Sequence, residues 1–191
     1  LMPDLVAFSE AYPGIELELR LTPDMADLSK READMAITVS PPNAGRLSVQ
    51  KITDYRLHLA ATRAYLDAQA PVTGLDALRE HPVVGYIPDM VFDKELDYLA
   101  EMGLDRVDLA SNSVAVQFQW LRQGAGLGIV HDFALPAAPD LVKVLPDRIS
   151  LTRSFYLVRH ADDRRLERMN RFSAALADGL RKEVQRLEGL T

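Results

Sequence analysis

The histidines and serines are the residues of this chain that could catalyse a reaction or bind a metal ion. Their spacing does not match the patterns of such sites. The four histidines, His58, His81, His131 and His160, include no HxH or HxxxH pair that would place two imidazole ligands of a metal ion on one element. The chain has no cysteine, which excludes disulfides, thiolate metal sites and a cysteine nucleophile. No serine stands in a G-x-S-x-G turn, which would expose a nucleophilic hydroxyl. We therefore expect no catalytic residue, no metal ion and no cofactor, and we predict that the chain is not an enzyme.

A glycine-rich segment at residues 124–129, Gly-Ala-Gly-Leu-Gly-Ile, has a spacing that invites a nucleotide-binding interpretation. A dinucleotide-binding loop needs a strand before its glycines and a helix after them, so that the N–H groups of the helix face the pyrophosphate. Here the pattern predicts the opposite order, with a helix before the glycines and a strand after them. We interpret the segment as a helix C-cap followed by a tight entry into a buried strand.

Hydroxyl and amide side chains stand where predicted strands end or helices begin, and a proline stiffens one of these loops. The residues of this set are Thr38, Ser40, Pro41, Thr62, Ser111, Asn112 and Ser113. In open α/β sheets ligands bind beyond the carboxyl ends of the strands, where helix N-termini present free N–H groups. For any single residue of the set, capping or turn formation is the alternative explanation. Together they predict a cleft for a small polar or anionic ligand.

The elements that would position these residues alternate between helices and strands. Apolar residues at helical spacing over residues 1–12 predict a helix that ends at Pro13-Gly14, and the alternation over residues 15–21 predicts a strand. Further strands are predicted at residues 34–39, 47–52, 55–61, 82–87, 107–110, 127–130, 141–145 and 154–159, helices at 25–32, 113–123 and 166–187, and a helix or long loop at 92–102. This alternation indicates an α/β fold with a largely parallel sheet.

The helix that precedes the glycine-rich segment is apolar on more than one face. Val114, Phe118 and Leu121 form one stripe, while Val116 and Trp120 lie elsewhere on the helix. A helix with a second apolar surface is either deeply buried or packs on a partner. The residues alone leave both alternatives open.

The overall charge and hydropathy limit which partners the chain can have and where it can be located. Its formal net charge is −6 over 191 residues, whereas nucleic-acid-binding modules usually present a basic face, so we do not expect this chain to bind DNA by itself. No segment approaches the ~18 consecutive apolar residues of a membrane span, and the N-terminus lacks the pattern of a signal peptide. We expect a cytoplasmic location and no membrane partner. Because the first residues have the pattern of a helix already under way, we also expect a fragment of a longer protein.

Seven motifs occur in order along the chain. They are Leu5-x-x-Phe8 with Tyr12-Pro13-x-Ile15-x-Leu17-x-Leu19; Asp27-Leu28 with Glu32-Ala33-Asp34-Met35-Ala36-Ile37; Leu59-Ala60-Ala61-Thr62-Arg63-Ala64-Tyr65-Leu66; His81-Pro82-Val83-Val84-Gly85-Tyr86; Gly124-Ala125-Gly126-Leu127-Gly128-Ile129; Leu141-Val142-Lys143-Val144-Leu145-Pro146; and Phe155-Tyr156-Leu157-Val158. Each motif is weak alone. In this order and spacing they resemble the regulatory domain of LysR-type transcriptional regulators, and the resemblance covers essentially the whole chain.

The resemblance implies a periplasmic-binding-protein-like fold of two Rossmann-like lobes joined by two crossing strands, with a ligand cleft between them. On this pattern lobe I comprises residues 1–61 and 138–191, and lobe II comprises residues 62–137. The natural crossings are the predicted strands at 55–61 and 141–145. The winged helix-turn-helix domain of the family and its first lobe I strand have no counterpart in the sequence, so DNA would be reached only through that absent N-terminal domain.

The resemblance also implies a function and a mode of assembly. The chain would sense a small-molecule effector, with contacts from the loop at Thr38 to Pro41 and from Ser111 to Ser113. Regulatory domains of this type pair antiparallel, which implies a homodimer or homotetramer. The interface residues implied are Leu5, Phe8, Leu19, Val116 and Trp120. A solute-binding protein of the same fold that serves transport is the alternative, and a two-lobed enzyme is a third class.

Overall fold

The computed structural model describes residues 2–20, 33–42, 45–91, 93–104 and 106–191. The chain forms two compact units. Unit 1 is Leu1–Asp54 with Ser154–Arg186, and unit 2 is Tyr55–Arg153 with Leu187–Thr191. No helix among the described residues is both long enough and apolar enough to cross a bilayer.

The helices and strands of the described chain are, in chain order, α1 (Met2–Ala11), β1 (Met35–Thr38), β2 (Leu47–Thr62), α2 (Arg63–Ala68), β3 (Val83–Gly85), α3 (Tyr98–Glu101), β4 (Leu109–Ala110), α4 (Val114–Arg122), β5 (Leu127–His131), β6 (Leu141–Lys143), β7 (Ser150–His160) and α5 (Glu167–Glu188). Helices and strands alternate from β2 to β5, as predicted, whereas among the described residues β1 is followed directly by β2, and no α-helix separates β5, β6 and β7. Short 3-10 helices lie at Asp76–Glu80, Pro88–Met90, Lys94–Leu96, Asp132–Ala137 and Ala161–Arg165.

Unit 1 is built around the strand order β1-β7-β2. Strand β1 pairs antiparallel with β7, with Ile37 opposite Leu157. The amphipathic helix α5 and the helix α1 contribute apolar side chains to one core with this sheet, because each buries one stripe of its surface. That core contains Ile52, Leu157, Leu176 and Ala177, with Leu5, Met35, Phe155, Phe172 and Leu180 packed against it.

Unit 2 is built around the strand order β2-β5-β3-β4, and β6 also pairs with β2. The pairs β2–β5 and β2–β6 are antiparallel, whereas β3 runs parallel to both β4 and β5. The predicted largely parallel sheet is therefore confirmed only for β5-β3-β4, because alternation of helices and strands does not specify strand direction. The core contains Ala60, Val84, Leu121, Val130, Leu135, Ala138 and Leu141.

Two strands carry the chain from one unit to the other, and they are β2 and β7. The strand predicted at 55–61 is the second part of β2, which is one continuous strand and not the two that were expected, and the unit boundary falls just before it, between Asp54 and Tyr55. The prediction for 141–145 is wrong, because β6 lies wholly within unit 2 and β7 is the second crossing. The lobe boundaries inferred from the family pattern, residues 1–61 with 138–191 against 62–137, stay a prediction.

The strand predicted at residues 15–21 is absent from residues 15–20, which have no regular secondary structure. Leu17 and Leu19 are exposed. Alternation marks a segment that suits a sheet, but a strand also needs a neighbour to complete its hydrogen bonds. No described strand pairs with this segment. The helix predicted at 25–32 lies outside the described residues.

Candidate functional site

The glycine-rich segment is structural, and the order of its neighbours is helix first and strand second. Helix α4 ends at Arg122, Gly124 follows with a φ of +74°, and β5 begins at Leu127. Gly126 has a φ of +144°, and a Cβ atom there would lie 2.2 Å from the carbonyl oxygen of Pro82. The adjacent Leu127 N–H donates to the same oxygen at 2.9 Å. The glycines thus allow a close backbone approach, which confirms the C-cap interpretation.

Asp132 is a fully buried carboxylate held among cationic side chains in unit 2. His58 Nδ1 lies 2.7 Å from one of its oxygens, and Lys143 Nζ donates to the other at 2.9 Å. Arg56 Nε lies 3.9 Å away, and its own backbone N–H donates to Glu188. Since both carboxylate oxygens are engaged inside the fold, we interpret the cluster as structural. Sequence reasoning missed it because it joins residues that are distant along the chain.

Two further histidines contact aromatic side chains of the fold. His81 Nδ1 lies 2.8 Å from the Tyr65 hydroxyl. The ring of His131 stacks on Tyr55 at a centroid distance of 5.3 Å, and burial lowers the pKa of His131 to about 4, so that its ring is neutral near pH 7. Within the described parts of the chain, no three His, Asp or Glu side chains are arranged to hold a metal ion.

The polar residues predicted to bind a ligand in unit 1 share one loop at the carboxyl end of β1. Thr38 Oγ1 donates to the carbonyl oxygen of Ser40 at 2.7 Å, and both residues are partly buried. Pro41 follows and is exposed. This hydrogen bond closes the turn that the alternative explanation predicts.

The predicted ligand-binding residues of unit 2 lie at the two ends of α4. Ser111, Asn112 and Ser113 precede its first turn, and Ser113 occupies the N-cap position without making a side-chain capping bond. Ser111 Oγ accepts from the Ser113 N–H at 3.1 Å. Thr62 Oγ1 instead accepts from the Tyr65 N–H, caps α2 and would lie 3.3 Å from a Cβ at Gly124. The structure therefore brings the three residues at 111–113 together and places Thr62 at the far end of α4.

The residues predicted at a dimer interface differ in how accessible they are. Phe8 is buried against Phe172 at a ring-centroid distance of 4.7 Å, and Leu5 packs on the same core of unit 1. Leu19 is 63% exposed and Val116 is 41% exposed. Trp120 packs partly buried against the core of unit 2. The interface stays a prediction, with Leu19 and Val116 as its accessible members.

A cavity of about 490 Å³ lies inside unit 2, and sequence reasoning did not find it. Its lining comes from β3, from the segment that follows β3, from α4 and from β5. These residues are Val84, Gly85, Tyr86, Pro88, Val91, Leu96, Asp97, Tyr98, Leu99, Ala100, Gly103, Leu104, Val107, Gln117 and Ile129. The segment at 92–102 was predicted only as helix or loop, because nothing in its pattern signals a cavity.

The comparisons with known proteins identify the family. The family model described as the LysR substrate binding domain matches residues 1–181. The chain belongs to this family. The resemblance drawn from the sequence motifs is thereby confirmed.

Solved LysR-type structures share the fold of this family member. The regulatory domain of CrgA from Neisseria meningitidis superposes with a TM-score of 0.79 at 21% identity, covering 96% of this chain and 91% of that one. The full-length activator AphB from Vibrio cholerae gives a TM-score of 0.72 at 24% identity, covering 93% of this chain and 62% of that one. The expected α/β fold of the periplasmic-binding-protein type is confirmed by this likeness.

Curated LysR-type relatives are named as transcription regulators and not as enzymes. The glycine cleavage system transcriptional activator homolog of Haemophilus influenzae is 25% identical over 190 residues, which are 96% of this chain and 62% of the relative. The probable HTH-type transcriptional regulator LtrA of Klebsiella pneumoniae is 28% identical over 153 residues, 76% of this chain and 49% of the relative. The chain thus spans only about half to three-fifths of the length of these relatives.

Proposed function

We propose that this chain is the effector-sensing regulatory domain of a longer, DNA-binding transcription regulator. The observation that carries the proposal is the family match over residues 1–181. The relatives named above are regulators, which favours this role over the alternative of a solute-binding protein that serves transport. DNA would be contacted through an N-terminal domain outside this chain. The net charge of −6 is consistent with a chain that does not itself bind the DNA backbone. The whole protein would then be a cytoplasmic homodimer or homotetramer without enzymatic activity.

The proposed effector is a small polar or anionic molecule. Its contacts are Thr38, Ser40, Pro41, Thr62, Ser111, Asn112 and Ser113. Ser113 has the strongest support, because its hydroxyl makes no capping bond at the start of the nine-residue helix α4. Helix N-termini favour anions through their N–H groups and dipole. Thr62 has the weakest support, since it already caps α2. Binding would act on DNA through different affinities for two conformations of the regulator.

A thermal-shift panel of small carboxylic acids and neutral aromatic compounds tests the proposal on this 191-residue chain. A true effector at about 100 times its Kd should add about 2.7 kcal/mol to the free energy of unfolding. Ser113→Ala should reduce that gain, whereas Ser9→Ala, a matched change at an exposed position of α1, should not. If no acid raises the unfolding midpoint, or if both variants respond as the parent does, the effector contacts proposed here are wrong.

The coding sequence upstream of this chain tests the regulatory role independently. A helix-turn-helix segment there is expected. A secretory leader in its place would overturn the regulatory proposal in favour of transport.

A further inference from the structure

We propose that the effector is an amphipathic anion, with a carboxylate at the N-terminus of α4 and an apolar body of two or three rings in the cavity of unit 2. The inference rests on the proposed function, because the carboxylate would use the contacts from Ser111 to Ser113. It goes further by assigning the cavity to the same molecule, and by naming the size and the polarity of the part that fills it.

Two hydrogen bonds of Ser111 connect the proposed effector contacts to the cavity wall. The Ser111 N–H donates to the carbonyl oxygen of Gly85 at 3.0 Å, and the Gln117 side-chain N–H donates to the carbonyl oxygen of Ser111 at 2.7 Å. Both Gly85 and Gln117 line the cavity. Gln117 also lies one helical turn after Ser113, on the same face of α4. The two regions are therefore neighbours, and one ligand can reach both.

The side-chain oxygen of Gln117 is the polar group that points to a ligand. Gln117 is only 6% exposed, and its amide nitrogen donates to Ser111, which fixes the orientation of the amide group. The oxygen has no hydrogen-bond partner among the described residues, and unlike the Tyr98 hydroxyl it is not sealed off from water. A ligand N–H or O–H can supply the missing partner. We therefore expect a hydrogen-bond donor next to the carboxylate of the effector.

The start of α4 favours an anionic head group. The first N–H groups of a helix have no partner within it, and the Ser113 side chain makes no capping bond to them. The nine residues of α4 align their peptide dipoles, which favours negative charge at this end. The first turn contains no acidic residue that would repel a carboxylate. A carboxylate is therefore the expected head group.

The volume of the cavity determines the size of the apolar body. An apolar cavity of about 150 Å³ takes one benzene ring. The cavity of unit 2 holds about 490 Å³, and by that proportion it takes up to about 20 non-hydrogen atoms. Two or three rings therefore suit it better than one. Its walls favour an apolar body through burial and dispersion, because they are mostly aliphatic, with Val84, Leu96, Leu99, Leu104 and Ile129 among their members.

The ionisable groups of the cavity argue that the carboxylate lies outside it. Burial raises the pKa of Tyr86 to about 12 and that of Tyr98 above its usual value, so both phenols in the lining are neutral. Asp97 stands at the exposed edge of the lining. No cation in the described lining would compensate a buried carboxylate. The cavity therefore suits the apolar body, and the anion belongs at the start of α4.

A series of N-acylglycines tests the size of the body on the 191-residue chain. N-acetylglycine has no ring, N-benzoylglycine has one, and N-(biphenyl-4-carbonyl)glycine has two, while all carry the same carboxylate and the same amide N–H. Heteronuclear NMR titrations give the location and the Kd of each. All should perturb the amides at 111–117, and the two-ring compound should also perturb those at 94–104. Each added ring should strengthen binding at least about tenfold, as burial of its apolar surface predicts.

An ester analogue tests the hydrogen bond to Gln117. (Biphenyl-4-carbonyloxy)acetate replaces the amide N–H by an oxygen atom, and it should bind about fivefold more weakly, as the loss of one hydrogen bond predicts. Gln117→Met should abolish this preference for the amide. If the residue only supported the structure of α4, its loss would weaken both ligands alike and keep the preference. Gln123→Met, at the exposed end of α4, is the matched control and should keep the preference.

A cavity-narrowing variant tests where the rings lie. Ala100→Phe adds a ring at an exposed position of the lining, so the fold should tolerate it. It should weaken the two-ring compound at least about tenfold and leave N-acetylglycine unchanged. Ala68→Phe, at an exposed position of α2 outside the lining, is the control and should bind both compounds as the parent does.

The inference is overturned if the two-ring compound binds no more tightly than N-acetylglycine, if it perturbs no amide at 94–104, or if the parent binds the amide and the ester equally. The proposed function still stands in those cases when an acid perturbs 111–117 and loses affinity on Ser113→Ala. If no acylglycine perturbs either segment, the inference fails, and the wider panel of acids decides the proposed function separately.

Discussion

His58 Nδ1 lies 2.7 Å from Asp132 Oδ1 inside unit 2, although the two residues are 74 positions apart. The contact joins β2 to the residue that follows β5, and Lys143 of β6 reaches the other oxygen of the same carboxylate. One fully buried side chain thus connects the interior of β2 with the carboxyl ends of β5 and β6. A buried carboxylate is expensive without such partners.

Asp132→Ala should lower the free energy of unfolding by about 1–3 kcal/mol, because the buried His58 ring and the partly buried Lys143 ammonium lose their hydrogen-bond partner. Urea unfolding at neutral pH measures the change. Asp178→Ala removes an exposed carboxylate that pairs with Lys182 on α5, and it should cost no more than about 1 kcal/mol. Equal losses in the two variants would contradict the structural role of the Asp132 cluster.

Gly126→Ala should destabilise unit 2 by about 2–4 kcal/mol, since it combines a positive φ with a collision at Pro82. Gly14→Ala is the matched control, because a Cβ there meets nothing within 4 Å. That variant should stay within about 0.5 kcal/mol of the parent. Denaturant midpoints of the two variants decide the point, and a well-tolerated alanine at Gly126 would contradict the close approach.

Arg153→Met should lower the free energy of unfolding by about 1–3 kcal/mol, because the charged hydrogen bonds to Glu95 and Glu101 are lost from a guanidinium that is only 10% exposed. Arg186→Met, which breaks an exposed pair on α5, should change stability by less than about 1 kcal/mol. Urea unfolding measures both variants, and a similar small change in the two would show that the pairs of Arg153 with Glu95 and Glu101 contribute no more than exposed ones.

Stability should fall as the pH is lowered from 6.5 to 4, in part through His131. Burial lowers the pKa of folded His131 to about 4, so the unfolded chain binds the proton first. The contribution is complete above the ordinary pKa and is lost on acidification through this window, with a size on the order of 3 kcal/mol. Urea unfolding of His131→Gln should show a weaker pH dependence than the parent. Parallel curves for parent and His131→Gln would refute the assignment.

Val116→Glu should weaken self-association if α4 forms the partner surface that the family resemblance implies. Val116 is 41% exposed, so the charge can be placed there without disturbing the core of unit 2. Val49→Glu, at an equally exposed valine of β2, is the control and should associate as the parent does. Sedimentation equilibrium measures the association constant. If Val116→Glu and the parent sediment alike, the interface prediction is wrong.

Local features of the fold could be predicted from the sequence. The C-cap at Gly124 follows from a glycine at the end of an apolar helical pattern. The strand at β1 and the long helix α5 follow from periodicity in the same way. These predictions succeeded because the residues that determine each element are neighbours along the chain.

The failures have non-local causes. Residues 15–20 alternate as a strand does, but alternation does not supply a pairing partner. The contact between His58 and Asp132 and the cavity around Tyr98 both depend on segments that only the fold brings together. The proposed effector contacts are partly local and partly not. Ser111 and Ser113 are two positions apart in the sequence, whereas the fold places Thr62 at the other end of α4.

Trp120 is the single tryptophan of the chain, and it packs on the core of unit 2. Its fluorescence is therefore an intrinsic reporter of one unit only, while circular dichroism records both. A mismatch between the two signals during unfolding would show that the units melt separately, and coincidence would show that they melt as one. No added label would be needed to learn which of the two units unfolds first.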